Sequence, residues 1–490
     1  MNARYEDALM KRLLPAPREV TFADGFLVLR DGVPVELAGG AGAEAARKAF
    51  AAYWGARADV RADDGDAPKG DAYEISATPE RLRIAAGTDT ALTYALYTLR
   101  QLAETERGKP GEARYIVPCC EIKDSPAAGF RGMHICIFPE TPLSRIEMMI
   151  RLAAYCKFNY AVIEPWGVFP FVSHPEFGWQ DRLLTRGDFQ RLLAVARECR
   201  ITLVPQLNIF GHATFSRVCT AKHAVLLTHP EMEPLYEPGG WSYCLSNPET
   251  RKVLADLVTE MHEFFGCPPF FHIGCDEAYD FQTCAACAAA DPEKLLLDHI
   301  TYFHDLLSRR NAKAIMWHDM LLSHDDERWK DCIAIGDDRT KDLHQKLPRD
   351  IIIADWQYGK APEGNPEHEF PTANFFQDAG FPVILCPWMD HDGLRQIGAQ
   401  VEKHKMFGVL ETTWHTAQEW DFAYMYIYGA TAAWNGGSEP RTNKGAAFAR
   451  LVRQMHLDMG ITEYPDAGHT DFQLTGRNAR TDWRPGSSRR

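Results

Sequence analysis

Two acids stand side by side in the segment FFHIGCDEAYD, Asp276 and Glu277. Adjacent carboxylates in a water-poor pocket oppose each other's charge. One therefore tends to keep its proton and can act as a general acid while the other stays ionised. The plain structural alternative is a helix N-terminus, where acids favour the positive end of the dipole. His212, in NIFGHATF, follows an apolar run and a glycine, and is either a site residue or a satisfied structural histidine. Arg131, in GFRGMHI, is either a site residue or an ion-pair partner inside the barrel. Cys284 and Cys287 form a C-x-x-C just after the acids. Zinc needs two further ligands, and no second C-x-x-C lies at zinc-site spacing, so these are read as buried thiols and no metal is expected. Cys275 has no assignable histidine base and is likewise read as a buried thiol.

The elements that must position these residues follow a repeating pattern from Phe130 onward. Eight short apolar runs, FRGMHICI, FNYAVIEP, ITLVPQLN, FFHIG, AKAIMW, IIIADW, PVILCPW and FGVLETTW, alternate with amphipathic helices. Thr141-Pro142, Asn247-Pro248 and Asp291-Pro292 mark helix starts, since Pro at the first helical position leaves no N–H unpaired. Such alternation predicts a parallel sheet, and eight units predict a (β/α)8 TIM barrel. An open doubly wound sheet is the fallback, with no Gly-rich dinucleotide loop to support it. Upstream, TFADGFLVLRDG and DAYEISATPERLRIAA read as strands, and AGAEAARKAFAAYW and TDTALTYALYTLRQLAE as helices. The expected organisation is an N-terminal α/β domain over residues 1–122, a barrel over 123–465 and a polar tail over 466–490.

A barrel builds its site at the C-terminal ends of its strands. Those ends carry Arg131 near the first strand, Glu164 and Trp166 after the second, and Asn208 and His212 after the third. Asp276 and Glu277 follow the fourth, Trp317 and Asp319 the fifth, and Trp356 and Tyr358 the sixth. Trp388 and Asp390 follow the seventh, and Trp414 the eighth. Each Trp alone is more often packing than pocket. Five at one end point to a sugar site, where flat apolar faces stack on the ring and acids bind hydroxyls.

Composition agrees with a soluble enzyme of this kind. The chain has 490 residues, 46% apolar and 24% charged, with a net charge of −14. That balance argues against nucleic acid, which needs clustered Lys and Arg. No stretch has the apolar length of a membrane span. Thirteen cysteines, scattered through core runs such as HICIF and VILCP, read as buried thiols in a reducing compartment. With no signal-peptide pattern in MNARYEDALMKRLL, the cytoplasm is expected. The expected partner is a carbohydrate, not nucleic acid or membrane, and a homodimer is allowed.

These motifs resemble the family 20 glycoside hydrolases, the β-N-acetylhexosaminidases. HIGCDE carries the resemblance most strongly, with Cys275 where many members have a second Gly. FRG at Phe130 to Gly132, GH at Gly211-His212, LSNPET at Leu245 to Thr250 and the helix TDTALTYALYTLRQLAE add to it. The short chain is most similar to the intracellular hexosaminidase D branch. The resemblance implies that Glu277 is the acid/base and that Asp276 orients the substrate's acetamido group. It implies that Arg131 binds sugar hydroxyls, that Trp317, Trp356 and Trp414 form aromatic walls, and that no cofactor is required. Three strand ends differ from better-known members: Glu164-Pro165-Trp166 at the second, Trp388-Met389-Asp390 at the seventh, and Trp414-His415-Thr416 at the eighth. At the seventh, Tyr358 is the alternative source of a hydroxyl. Rival readings are a sugar-binding barrel without catalysis, a metal-dependent hydrolase using Cys284 and Cys287, and a glycosidase or transglycosylase with another sugar.

Overall fold

The computed structural model describes residues 3–106, 114–139, 141–178, 184–214, 225–358, 370–388, 391–414, 422–437 and 446. Asp390, His415, Thr416 and the tail expected over 466–490 lie outside the described residues.

The N-terminal sheet is mixed. Its strands are β1 (Glu19–Leu29), β2 (Pro34–Ala38), β3 (Asp59–Asp63), β4 (Tyr73–Ala77), β5 (Leu82–Ala86), β6 (Glu104–Glu106) and β7 (Arg114–Asp124). They run in the order β1-β7-β4-β5-β2-β3, with β6 beside β7. Helix Asp89–Leu102 buries Leu92, Ala95, Leu96, Leu99 and Leu102, and Thr88 caps its start by accepting the Ala91 N–H. Helix Ala43–Trp54 buries Ala46, Phe50 and Trp54. Both stripes follow the helical period of the sequence.

The second sheet holds all eight expected runs: β8 (Phe130–Ile137), β9 (Tyr160–Pro165), β10 (Thr202–Pro205), β11 (Phe270–His272), β12 (Lys313–Trp317), β13 (Ile352–Asp355), β14 (Val383–Leu385) and β15 (Gly408–Glu411). Every pairing is parallel, in the order β10-β9-β8-β15-β14-β13-β12-β11. A parallel bridge between Gln206 and His272 closes the ring, and the Leu207 N–H donates to the His272 carbonyl at 3.0 Å. This is the (β/α)8 barrel. Its interior is filled by Phe130, Val162, Val204, Ile315, Trp317, Ile352, Ala354, Ile384 and Leu410. Inward and outward positions alternate along each strand, so the filled centre is a core rather than a pore.

Asn247 and Asp291 cap the helices Pro248–Phe264 and Pro292–Ser308 as expected, their side chains accepting the N–H of Glu249 and Lys294. The third start differs. Helix Leu143–Tyr155 begins after Pro142 and has no side-chain cap. The Thr141 hydroxyl instead accepts the Phe138 N–H at 3.0 Å and closes the turn that leaves β8.

A buried polar knot joins the two sheets. Lys157 donates to Asp124 Oδ2 at 2.9 Å, the Tyr73 hydroxyl donates to the same oxygen at 2.5 Å, and Trp434 Nε1 donates to Oδ1 at 2.8 Å. A buried ammonium and carboxylate are tolerated only with such partners. Among the described residues, no helix is long and apolar enough to cross a membrane.

Candidate active site

The acid pair sits where β11 ends and the chain turns. Gly274, Cys275 and Glu277 all take positive φ, 68°, 76° and 49°. Neighbouring strands hold this turn on both sides. The Ile273 N–H donates to the Ile315 carbonyl at 2.8 Å, the Trp317 N–H to Gly274 at 2.9 Å, and the Ile209 N–H to Ile273 at 3.0 Å. Two glycines let the backbones meet. A Cβ on Gly274 would lie 2.2 Å from Asn208 Oδ1, and one on Gly211 would lie 1.8 Å from the Asp276 carbonyl oxygen. Such strained backbone persists where the surroundings over-determine it.

The two acids have different surroundings. The Asp276 side chain is only 6% exposed. Asn208 Nδ2 donates to its Oδ1 at 2.8 Å, and His212 Nε2 lies 3.2 Å from its Oδ2. Glu277 is 25% exposed, with its Oε2 3.1 Å from the same His212 nitrogen. The Tyr279 hydroxyl donates to Glu277 Oε1 at 2.8 Å. The His212 ring sits between Trp241, with centroids 5.2 Å apart, and Trp166, at 6.3 Å. The arrangement is a buried carboxylate beside a partly exposed one, bridged by one imidazole. It can hold a fixed negative charge and offer a proton donor next to it.

A third carboxyl completes the centre. Asp319, fully buried after β12, accepts the Glu277 N–H at 2.8 Å and Trp356 Nε1 at 2.9 Å. Burial, with the Asp276 charge adding to it, pushes its pKa from 3.8 to about 8. Asp319, a residue the adjacency argument did not single out, is thus a third acid of the centre whose proton is held toward neutral pH by burial. Fully buried, with one protein donor on each oxygen, it ties Glu277 and Trp356 together.

The aromatic residues divide into a floor and a wall. Trp317 is fully buried in the barrel core, 4.3 Å from the His272 ring and 5.4 Å from Trp414. It is floor, not the wall expected of it. Trp356, Tyr358 and Trp388 form a half-buried row, with Tyr358 5.6 Å from Trp356 and 5.3 Å from Trp388. Trp414 lies over His134 at 5.0 Å. Tyr358 and Trp414 also hold positive φ, 61° and 45°.

One expected sugar ligand, Arg131, is placed elsewhere. Phe130, His134 and Cys136 of β8 face the barrel interior, so Arg131 faces out. Arg131 is near the strand's first residue, far from the C-terminal end. Its guanidinium donates to Asp71 at 2.6 Å, to the Lys157 and Ala128 carbonyls at 2.9 Å, and lies over the Trp434 ring. It joins the two domains and does not reach the acid pair. Glu164 points into the barrel but is buried, 3.2 Å from His134 Nε2, and it accepts from the Cys136 thiol at 3.4 Å. Cys275 is buried, and burial pushes its thiol well above the usual range, as suits a packed thiol.

Sequence reasoning missed Tyr279 and Trp241. The first stands two residues past Glu277 and was legible by proximity. Trp241 comes from a loop with no periodic signal.

Comparison with known proteins places this architecture. The chain is 24% identical to a beta-hexosaminidase of Vibrio furnissii over 377 residues, 67% of this chain and 60% of that protein. It is 24% identical to a beta-hexosaminidase of Akkermansia muciniphila over 257 residues, 46% of this chain and 50% of that protein. The chain thus spans half to three-fifths of the length of these two relatives. Among solved structures, a GH20 exo beta-N-acetylglucosaminidase from Vibrio harveyi, in complex with N-acetylglucosamine, superposes with a TM-score of 0.69 at 17% identity, covering 92% of this chain and 78% of that one. A beta-N-acetylhexosaminidase from Bacteroides fragilis gives 0.66 at 18% identity, covering 91% and 96%. At these identities the likeness is one of fold. The sequence profiles go further: residues 10–125 match the one described as glycosyl hydrolase family 20, domain 2, and residues 172–433 the one described as its catalytic domain. With the catalytic profile spanning just over half of the chain and the acid pair inside it, the chain belongs to glycosyl hydrolase family 20.

Proposed function

We propose that the protein is an exo-acting, retaining β-N-acetylhexosaminidase that removes terminal non-reducing β-linked GlcNAc or GalNAc by substrate-assisted hydrolysis. The observation that carries this is the unequal pair: Asp276 buried and hydrogen-bonded, Glu277 partly exposed beside it. In this family the substrate's own acetamide replaces the enzyme nucleophile of ordinary retaining glycosidases.

Glu277 protonates the glycosidic oxygen as the C1–O bond breaks, and the acetamido carbonyl oxygen attacks C1 to give an oxazolinium ion. Asp276 accepts from Asn208 on Oδ1 and has His212 Nε2 beside Oδ2, which leaves it lone pairs for the acetamido N–H. Its charge stabilises the positive ring as it forms. Glu277, now a carboxylate, takes a proton from the water that opens the ring, which restores the acid and retains the β configuration. Tyr279 and His212 orient the Glu277 carboxyl. Trp356, Tyr358, Trp388 and Trp414 press the acetamide toward C1, where intramolecular attack has a large effective molarity. His212 and the half-buried aromatics are the proposed sugar contacts. Every described cysteine is free, which favours a reducing compartment such as the cytoplasm.

The test is direct. Aryl β-N-acetylglucosaminide and β-N-acetylgalactosaminide are offered across pH 4 to 8, and the first product anomer is read by NMR. Turnover with β product supports the proposal. Absence of turnover of both, with N-acetylhexosamine still binding by calorimetry, replaces it with a sugar-binding barrel.

A further inference from the structure

Beside the acid pair, the fold brings Glu237 and Cys244 to the C-x-x-C of Cys284 and Cys287. Glu237, Cys244, Cys284 and Cys287 present one ligand atom each, all within 4.8 Å of one another. A hairpin with bridged Tyr236 and Tyr243 brings Glu237 and Cys244 together. Cys284 starts the short turn Ala285–Ala288, and its sulfur accepts the Cys287 N–H at 3.3 Å. Cys244 Sγ lies 3.6 Å from both other sulfurs. A disulfide needs about 2.0 Å. The corners of a tetrahedron around zinc, with Zn–S bonds of about 2.3 Å, lie about 3.8 Å apart.

We propose that Cys244, Cys284, Cys287 and Glu237 bind one zinc ion. Three thiolates and one carboxylate suit a borderline-soft, tetrahedral cation. Glu237 is 2% exposed; one of its oxygens accepts the Cys284 N–H at 2.6 Å, and its carboxyl also meets the Cys287 thiol, so it already faces the sulfurs it would join around an ion. Backbone N–H groups of Asn247 and Ser246 face the sulfurs of Cys244 and Cys287, and donors of this kind offset thiolate charge. Cys284 is only partly buried, which leaves an entry path. Binding releases the proton of each thiol that becomes a ligand to solvent.

The ion staples two loops that carry site residues. The loop from Glu237 holds Trp241 against His212, and the loop after β11 holds Tyr279 on Glu277. Trp241 N–H also donates to Asp280 at 3.0 Å across the same junction. The zinc role is structural and goes beyond the proposed hydrolysis, which uses none of its ligands.

Protein purified without chelator or metal-affinity resin is expected to hold about one zinc per chain by elemental mass spectrometry. Reduced, metal-free protein titrated with Co2+ is expected to show thiolate charge-transfer and tetrahedral d–d bands that saturate at one equivalent and vanish on adding Zn2+. Cys287→Ser should lower Co2+ affinity more than about a hundredfold, while Cys119→Ser leaves it unchanged. Should Cys287→Ser fail to fold, the wild-type titration decides. Reduced protein with no charge-transfer band, or a Cys244 disulfide mapped in the native protein, overturns the proposal. Neither readout depends on hydrolysis, so failure here is distinct from failure of the proposed activity.

Discussion

The Asp319 carboxyl accepts the backbone N–H of Glu277 at 2.8 Å. Its other oxygen takes Trp356 Nε1 at 2.9 Å. One buried group thus fixes the proposed acid and the aromatic row together, and holds Glu277 in its left-handed turn.

Asp319→Ala is expected to lower kcat by about a hundredfold, since a small displacement of the acid suffices for that loss, and to raise KM through Trp356. Asp319→Asn keeps an acceptor and should cost less. Steady-state kinetics on an aryl glycoside, with circular dichroism to verify folding, checks both. Unchanged kcat in the alanine variant rejects the positioning role.

The same residue sets a pH dependence. Its folded pKa, about 8, lies above 3.8, so between those values the folded state holds a proton that the unfolded chain releases. This contribution to stability is complete below about pH 4 and is lost as pH rises toward 8. The melting temperature should fall over that window, and Asp319→Asn should flatten the fall. Identical slopes in both proteins dismiss the assignment.

Glu277→Gln should lower kcat/KM by about 10²–10⁴ on substrates with poor leaving groups. The loss should shrink for activated aryl leaving groups, which need little protonation. An equal loss on both classes means Glu277 is not the acid. Tyr279→Phe, which removes the hydroxyl donor at 2.8 Å, is expected to fall between.

Arg131→Met tests the corrected placement of that residue. Its guanidinium is buried and paired with Asp71, so removing it should cost on the order of 3 kcal/mol of stability. KM should stay within about twofold of wild type, because any effect at the sugar would be indirect. A large rise in KM with unchanged denaturant midpoint returns Arg131 to the substrate site.

Gly211→Ala places a methyl 1.8 Å from the Asp276 carbonyl oxygen, and backbone on both sides leaves nothing free to yield. We expect loss of activity and a destabilisation of several kcal/mol, of the size seen for overpacked or strained sites. Gly32→Ala is the control: its φ is 77° but nothing lies within 4 Å, so only the left-handed backbone cost of about 1–2 kcal/mol remains. Equal melting temperatures for the two variants contradict the close approach.

The elements of this protein were legible because they are written locally. Apolar runs and the Asn247 and Asp291 caps mark the barrel's strands and helix starts, and the turn holding Asp276 and Glu277 follows the fourth run. Periodicity and capping depend on residues within a turn or two of each other. What the chain could not display locally is which way a strand residue faces and what meets across loops. A strand's parity alone turns Arg131 outward toward Asp71 and His134 inward toward Trp317. Asp319 became a tie between Glu277 and Trp356, and Trp317 a floor, only through closure of the ring. Cys244 stands forty positions before Cys284 and shares no motif with it, yet the folded loops place their sulfurs 3.6 Å apart. The sequence by itself determined the barrel and the position of its acid pair, because short-range pattern suffices for both. The tertiary structure alone decided which buried groups meet, because burial, charge and contact belong to pairs of residues that only packing brings together.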